Sequence, residues 1–221
     1  MNLITLVKDS FLKILIPGLT LTIPLTVISF SIALVIGTIV ALIQYADIKV
    51  LKQIARFYIW IIRGTPLLVQ LFVVFYGLPS IGIVLDPFPA AVIVFSLNEG
   101  AYSAETIRGA LKAIPKGQVE AGYCVGMNFR QIMWHIVLPQ AFKVAFPSLS
   151  NSVISMTKDT SLASNITVME MLMKTKQLVA VYYQPLVLYL EVGFIYLLFS
   201  TVLTQIQSVF ERKLDIKGAS K

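Results

Sequence analysis

Residues Ile14 to Ala46 read ILIPGLTLTIPLTVISFSIALVIGTIVALIQYA, without one charged side chain. About 20 mostly apolar residues carry a helix across the roughly 30 Å hydrocarbon core of a bilayer, so this window holds one tilted span and its flanks. Pro17 and Pro24 lie near its start, where a helix tolerates proline by beginning or kinking. The run is too long for the apolar part of a secretion signal, and no small-residue cleavage site follows it. The rest of the chain agrees: of 221 residues, 57% are hydrophobic and 13% charged, and the mean hydropathy is +0.82. A soluble domain carries about 25% charged residues. The same balance excludes disorder, and the single cysteine, Cys124, excludes a disulfide-stapled secreted domain.

Outward from that window, other apolar segments predict an all-α membrane protein of about five spans in a single domain, residues 1–221. The second runs from Phe57 to Gly77, interrupted by Arg63-Gly64-Thr65-Pro66; the third from Pro89 to Arg108; the fourth, shorter, from Ala141 to Thr157; the last from Gln184 to Gln207. Gly77 to Pro89 is rich in proline and glycine and reads as a loop. With the N-terminus outside and the C-terminus in the cytoplasm, the inner side holds Lys49, Lys52, Arg56, Arg63, Arg108, Lys112, Lys116, Arg130, Lys143, Arg212, Lys213, Lys217 and Lys221. The outer side holds only Lys8, Lys13, Lys158, Lys174 and Lys176. Basic residues concentrate on cytoplasmic loops, so this orientation is favoured. The net charge of +7 is thereby explained by topology, and no dense basic run with interleaved aromatics argues for nucleic acid.

Few charges are left for the spans, and each is expensive. An ionised group at the bilayer centre costs roughly 2.5–3.5 kcal/mol, so Arg63, Glu99, Glu105 and Asp159 must pair, neutralise or face a wet cavity. Asn98, Tyr102 and Glu105 recur at i, i+4 and i+7 and share one helical face. An amide, a phenol and a carboxylate together suit a zwitterionic ligand better than a lipid tail. Arg63, just before Pro66, sits where a broken helix exposes backbone groups to ligand; it serves either an ion pair or a substrate carboxylate. Glu105 can pair with Arg108 three residues on. Asp159, beside Thr160 and Ser161, can hold an ammonium group, although Lys158 is an alternative partner. Glu191, alone in the last span, faces either a cavity or a second subunit. Gly100 and Gly109 predict close helix approach. Tyr58, Trp60, Tyr182 and Tyr183 are expected as interfacial anchors.

The stretch from about 112 to 140 lies on the cytoplasmic side in this topology. Ala121, Val125, Phe129, Ile132 and Ile136 fall on one helical stripe, with polar residues elsewhere, so an amphipathic helix is expected there. Such a helix needs a lipid surface or a protein groove. The segment also has fixed spacing: Glu120-Ala121-Gly122, three residues, Gly126, nine residues, then Ile136-Val137-Leu138-Pro139. This spacing resembles the signature loop of the permease subunits of binding-protein-dependent ABC importers, Glu-Ala-Ala, three residues, Gly, nine residues, Ile-x-Leu-Pro. It departs only at Gly122, where a second alanine is usual. Arg63 to Gln70 (RGTPLLVQ), Gly100 to Glu105 (GAYSAE), Gly117-Gln118 and Lys158 to Leu162 (KDTSL) further resemble the polar amino acid branch of that family, over about residues 15–208.

The resemblance implies a type I ABC importer permease fold in a bacterial cytoplasmic membrane. It implies docking of an ATP-binding subunit on Glu120, Ala121, Gly122, Gly126, Ile136, Leu138 and Pro139. It implies two ATP-binding subunits, a second permease copy or paralogue, and an extracytoplasmic amino-acid-binding protein. The candidate substrate pathway is Arg63, Asn98, Glu99, Tyr102, Glu105, Asp159, Thr160 and Ser161. No phosphate-binding Gly-Lys-Ser/Thr loop, metal-spaced Cys/His cluster or catalytic constellation is present in the sequence, so the chain is expected to be no enzyme and to carry no cofactor. An ion-gradient-driven transporter, with the carboxylates as proton or sodium sites, is the alternative, and a membrane scaffold a third.

Overall fold

A computed structural model describes residues 3–46 and 49–214; Lys217 and Lys221, counted above on the inner side, lie outside them. All regular structure in the described residues is helical. Helix α1 (Leu3–Pro17) passes through a π-helical turn at Gly18–Thr22 into α2 (Ile23–Tyr45). The apolar rod Thr5–Tyr45 is 41 residues long, so the boundary expected at Ile14 is too late. At 1.5 Å per residue it measures about 60 Å, twice the hydrocarbon thickness. The charges that closed the window are neutralised along the helix. Lys13 Nζ donates to Asp9 Oδ2 at 2.7 Å, one turn away, and the Tyr182 hydroxyl donates to the same oxygen at 2.8 Å. Tyr182 is thus a tether between helices, not an isolated interfacial anchor.

The second window is not one straight span. α3 (Lys49–Gly64) and α4 (Leu67–Phe72), which continues through a π turn at Val73–Gly77 and a 3-10 turn at Leu78–Ile81, are bent by 103°. Pro66 has an extended ψ of 137° and no N–H to continue the ladder. Carbonyls freed by the break are met by the Gln70 side chain, whose Nε2 donates to Ile62 O at 2.8 Å and Thr65 O at 3.2 Å. The helix break expected from Pro66 is therefore present, and Gln70 stabilises it.

α5 (Pro87–Ala113) and α8 (Leu138–Asp159) flank the expected cytoplasmic segment, which holds α6 (Lys116–Cys124), α7 (Phe129–Ile132) and a π turn at Met133–Val137. α10 (Pro185–Lys213) is the last expected span. Among the described residues, only the α1–α2 rod, α10 and, taken as a pair, α3 with α4 are long and apolar enough to cross a membrane by length and composition alone. α5 and α8 are 27 and 22 residues long, about 40 and 33 Å, sufficient in reach but carrying polar faces.

α2 and α5 approach closely. A Cβ at Gly37 would stand 2.8 Å from Ser103 Cβ and 3.1 Å from the Ala104 nitrogen. A Cβ at Gly100 would stand 3.0 Å from Ile36 Cγ2 and 3.1 Å from the Tyr58 hydroxyl, whereas one at Gly109 would meet nothing within 4 Å among the described residues. Tyr58 is a tether too: its hydroxyl donates to Leu97 O at 2.5 Å, joining α3 to α5. Trp60 and Tyr183 are exposed.

Between Asp159 and Gln184 the sequence suggested no element. The chain forms a 3-10 turn, Thr160–Ile166, and α9 (Met171–Tyr182), packed on α1 and α10 through Leu6, Ile14, Met171, Leu178, Leu188 and Ile195. Glu170, fully buried, caps α9 by accepting from Leu172 N at 2.8 Å and Met173 N at 2.7 Å, and takes the Tyr196 hydroxyl at 2.8 Å. Burial pushes its carboxyl above the usual range against the pull of those donors. Glu170→Ala orphans all three donors and is expected to destabilise the protein by about 2–3 kcal/mol, read as a lowered unfolding midpoint in detergent.

Candidate functional site

Two places carry the chemistry. The first is a cavity of about 540 Å³ between α5 and α8. From α5 it is lined by Asn98, Glu99 and Tyr102, and from the end of α8 by Asp159. Among the described residues no lysine or arginine lines it, so two carboxylates face one space with no cation on its wall. Glu99 accepts from the Ser103 hydroxyl at 3.0 Å. Asn98 Nδ2 donates to Gln70 Oε1 at 3.0 Å, so the side chain that stabilises the α3–α4 break also positions the cavity amide. A further wall, not anticipated from the sequence, is the α8 ladder Ser148, Asn151, Ser152 and Ser155. Its spacing of three and four residues ending at Asp159 is a helical polar stripe inside the fourth apolar window, and that periodicity was the available signal. Asn151, Ser155 and Asp159 are exposed, so the cavity opens to one side of the chain.

Four expected pathway residues lie elsewhere. Thr160 is fully buried and donates to Thr157 O at 2.7 Å, and Ser161 is not on the cavity wall, so Asp159 faces it without them. Lys158 is exposed and forms no ion pair with Asp159. Glu105 is held by Arg108 in a two-pronged ion pair, Nη2 to Oε2 at 2.5 Å and Nε to Oε1 at 3.0 Å, as the spacing allowed. Arg63 lies over the Tyr102 ring, 5.0 Å from its centroid. Arg63 and Glu105 line a separate, smaller pocket with Arg56 and Arg108. Glu191, buried on α10, accepts from the Ser10 hydroxyl at 2.5 Å, tying α10 to α1. A cleft of about 550 Å³ bounded by Phe30, Leu111, Phe142 and Phe210 has no titratable group and suits no polar ligand.

The second place is the elbow between α5 and α8. The single amphipathic helix expected there is broken, because Gly126 adopts φ +81° and closes α6, its N–H donating to Tyr123 O at 3.0 Å while Met127 N reaches Gly122 O at 3.0 Å. A capping box then restarts the chain as α7: Gln131 N donates to Asn128 Oδ1 at 3.0 Å and Asn128 N to Gln131 Oε1 at 2.8 Å. The expected stripe is divided accordingly. Ile132 is fully buried and Ile136 half-buried, while Ala121, Val125 and Phe129 remain exposed beside Tyr123 and Trp134. Ile132 and Val137 belong to one core with Ala110 and Leu111 of α5 and Ala141 and Ala145 of α8. Gly122 is buried beneath them: a Cβ there would lie 2.8 Å from Ile132 Cγ1 and 3.2 Å from Ile136 Cδ1. Glu120 is exposed, Leu138 half-buried, and Pro139 exposed in the first turn of α8, where its missing N–H costs nothing.

The elbow and the helices it joins have counterparts among known proteins. The chain is 47% identical over 211 residues, 95% of its length and 90% of the other's, to the L-cystine transport system permease protein TcyB of Bacillus subtilis (strain 168). It is 36% identical over 201 residues, 90% of its length and 92% of the other's, to the arginine transport system permease protein ArtQ of the same organism. A crystal structure of an amino acid ABC transporter with histidines superposes with a TM-score of 0.89 at 33% identity, over 96% of this chain and 99% of that one. The methionine ABC transporter MetNI in an inward-facing conformation shares the fold, with a TM-score of 0.76 at 18% identity over 91% of this chain and 96% of that one. Residues 33–216 match the model of the binding-protein-dependent transport system inner membrane component. The chain, a permease subunit of the ABC importer type with this helical fold, belongs to that family of inner membrane components.

Proposed function

We propose that this permease imports an amino acid carrying two cationic groups, and that the α5–α8 cavity is where its chain holds the substrate. The observation that carries the reading is the pair Glu99 and Asp159 facing one cavity with no lysine or arginine on its wall among the described residues. A substrate with two ammonium groups, or one ammonium and one guanidinium, supplies the missing charges, and Asn98 and the α8 serines offer hydrogen bonds to its polar remainder. Cystine and arginine, named for the relatives above, both meet that description. In this reading residues 1–221 act as one transmembrane unit with the N-terminus outside. A second permease copy or paralogue closes the open side of the cavity, and two ATP-binding subunits, which hold the nucleotide, sit on the elbow. An extracytoplasmic binding protein delivers substrate. The family supplies an ATP-driven partner, which removes the need for the ion gradient weighed as the alternative.

The elbow is suited to pass on a displacement because it shares a core with both cavity-forming helices. Movement of α6 and α7 drags Ile132 and Val137, and with them the ends of α5 and α8. In cells lacking this gene, complementation should restore uptake of labelled cystine or arginine, with unlabelled diamino acids competing and glutamate not. Uptake of glutamate in preference to either would overturn the assignment of the two carboxylates.

A further inference from the structure

We propose that α3 lies in the headgroup region of the cytoplasmic leaflet and that the pocket beside it binds the phosphate of an anionic phospholipid. The pocket, about 290 Å³, is lined by Arg56 and Arg63 of α3, Glu105 and Arg108 of α5, Gln44 of α2 and Trp60. Its charges do not balance. Three guanidiniums face one carboxylate, and Glu105 is already held at two points by Arg108 and approached by Gln44 Nε2 at 3.4 Å. Arg56 pairs with no carboxylate among the described residues, and Arg63 lies over the face of Tyr102 and reaches Glu105 only at a distance beyond ion pairing. A phosphate is the ligand that planar, forked guanidiniums recognise best.

A lipid, in place of a free anion, follows from the rest of the helix. α3 carries Lys49, Lys52, Arg56 and Arg63 and no acidic residue. At 100° per residue these four fall within one narrow stripe, next to the buried Ala55 and Ile59. Its opposite face is an exposed apolar ridge of Val50, Ile54, Phe57 and Ile61, with Trp60, 71% exposed, at the margin against Phe57. A strongly amphipathic helix with a basic polar edge and aromatic flank is the form that lies in a membrane interface and collects anionic headgroups. A soluble anion would satisfy the arginines and leave the ridge in water, whereas a phospholipid covers both with headgroup and acyl chains. The leaflet assignment rests on the inward orientation of the α2–α3 turn proposed above; the lipid preference does not.

The test uses the assembled transporter purified in neutral detergent and titrated with phosphatidylglycerol, phosphatidylcholine or inorganic phosphate. Unfolding midpoint and retained lipid, counted by native mass spectrometry, are read together. Phosphatidylglycerol alone is expected to raise the midpoint, and Arg56→Gln, at an exposed side chain that forms no ion pair among the described residues, to weaken its apparent affinity about fivefold. Lys143→Gln, exposed on α8 and outside this pocket, should titrate like the unsubstituted protein. Equal responses to the two lipids, an equal response to inorganic phosphate, an unchanged response in Arg56→Gln, or a change of subunit stoichiometry in that variant would each overturn the proposal. None of these readouts depends on which amino acid is carried, so they fail independently of the transport assignment.

Discussion

Asp159→Asn is expected to lower uptake about 100-fold while leaving assembly of the transporter intact. The substitution keeps the shape of the side chain and removes its charge. Asp159 ends α8 and faces the cavity across from Glu99, with Thr160 turned into the core and Lys158 forming no ion pair with it. Among the described residues it forms no ion pair, and the exposed Lys158 beside it acts only at longer range, so the folded protein loses little. A bound ammonium loses a charge-assisted contact in a partly desolvated site, worth about 3 kcal/mol and hence roughly two decades in affinity. The measurement is initial-rate uptake of labelled cystine or arginine, normalised to the amount of assembled complex. Lys158→Gln serves as the control and should stay within a factor of two. Wild-type uptake in the Asp159→Asn protein would remove this residue from the pathway.

The second large effect concerns the elbow. Gly122→Leu should abolish substrate-stimulated ATP hydrolysis, and transport with it, in a complex whose membrane helices remain folded. Already at Cβ the new side chain stands 2.8 Å from Ile132 Cγ1, and Ile132 is fully buried. Inserting further methylenes into such a contact costs about 1–3 kcal/mol. The strain is relieved by pushing α7 and the following π turn away from α6, which separates the exposed apolar face around Tyr123, Val125 and Phe129, where we propose the ATP-binding subunit sits, from the core shared with α5 and α8. Gly122→Ala, which restores the residue usual in the family loop, needs only a small shift of Ile132 and should retain most coupling. Full stimulation in Gly122→Leu would show that the α6–α7 contact does not carry the signal.

The elbow also illustrates what a sequence pattern conveys and what it omits. The spacing from Glu120 to Pro139 marks the segment that holds α6, α7 and the following π turn between α5 and α8. The single helical stripe drawn through it did not survive, because periodicity assumes one continuous helix, whereas Gly126 turns the chain at φ +81°. Ile132 therefore points into the bundle while Val125 and Phe129, drawn on the same stripe, remain outside. α9 escaped notice for a different reason. Its residues carry no strong apolar period, and what holds it is a buried carboxylate, Glu170, whose partner Tyr196 is 26 residues away. The α8 serine ladder was readable, but it was masked by the apolar average of the window in which it lies.

By itself the sequence determined that this chain is a bundle of membrane helices, where most of them lie, and that one loop carries the signature spacing of its family. Those properties are local: apolar length sets a span, and residue types at set intervals form a docking motif. Which of the scarce charges share a cavity was decided only by tertiary structure. Helical periodicity put Asn98, Tyr102 and Glu105 on one face, yet Glu105 is taken by Arg108 and Arg63 by the Tyr102 ring. Glu99 and Asp159, some 60 residues apart in the chain, are left to face each other across the space between α5 and α8. A charge in a low-dielectric bundle is either paired or available, and that depends on what stands on the next helix, which no single helix encodes.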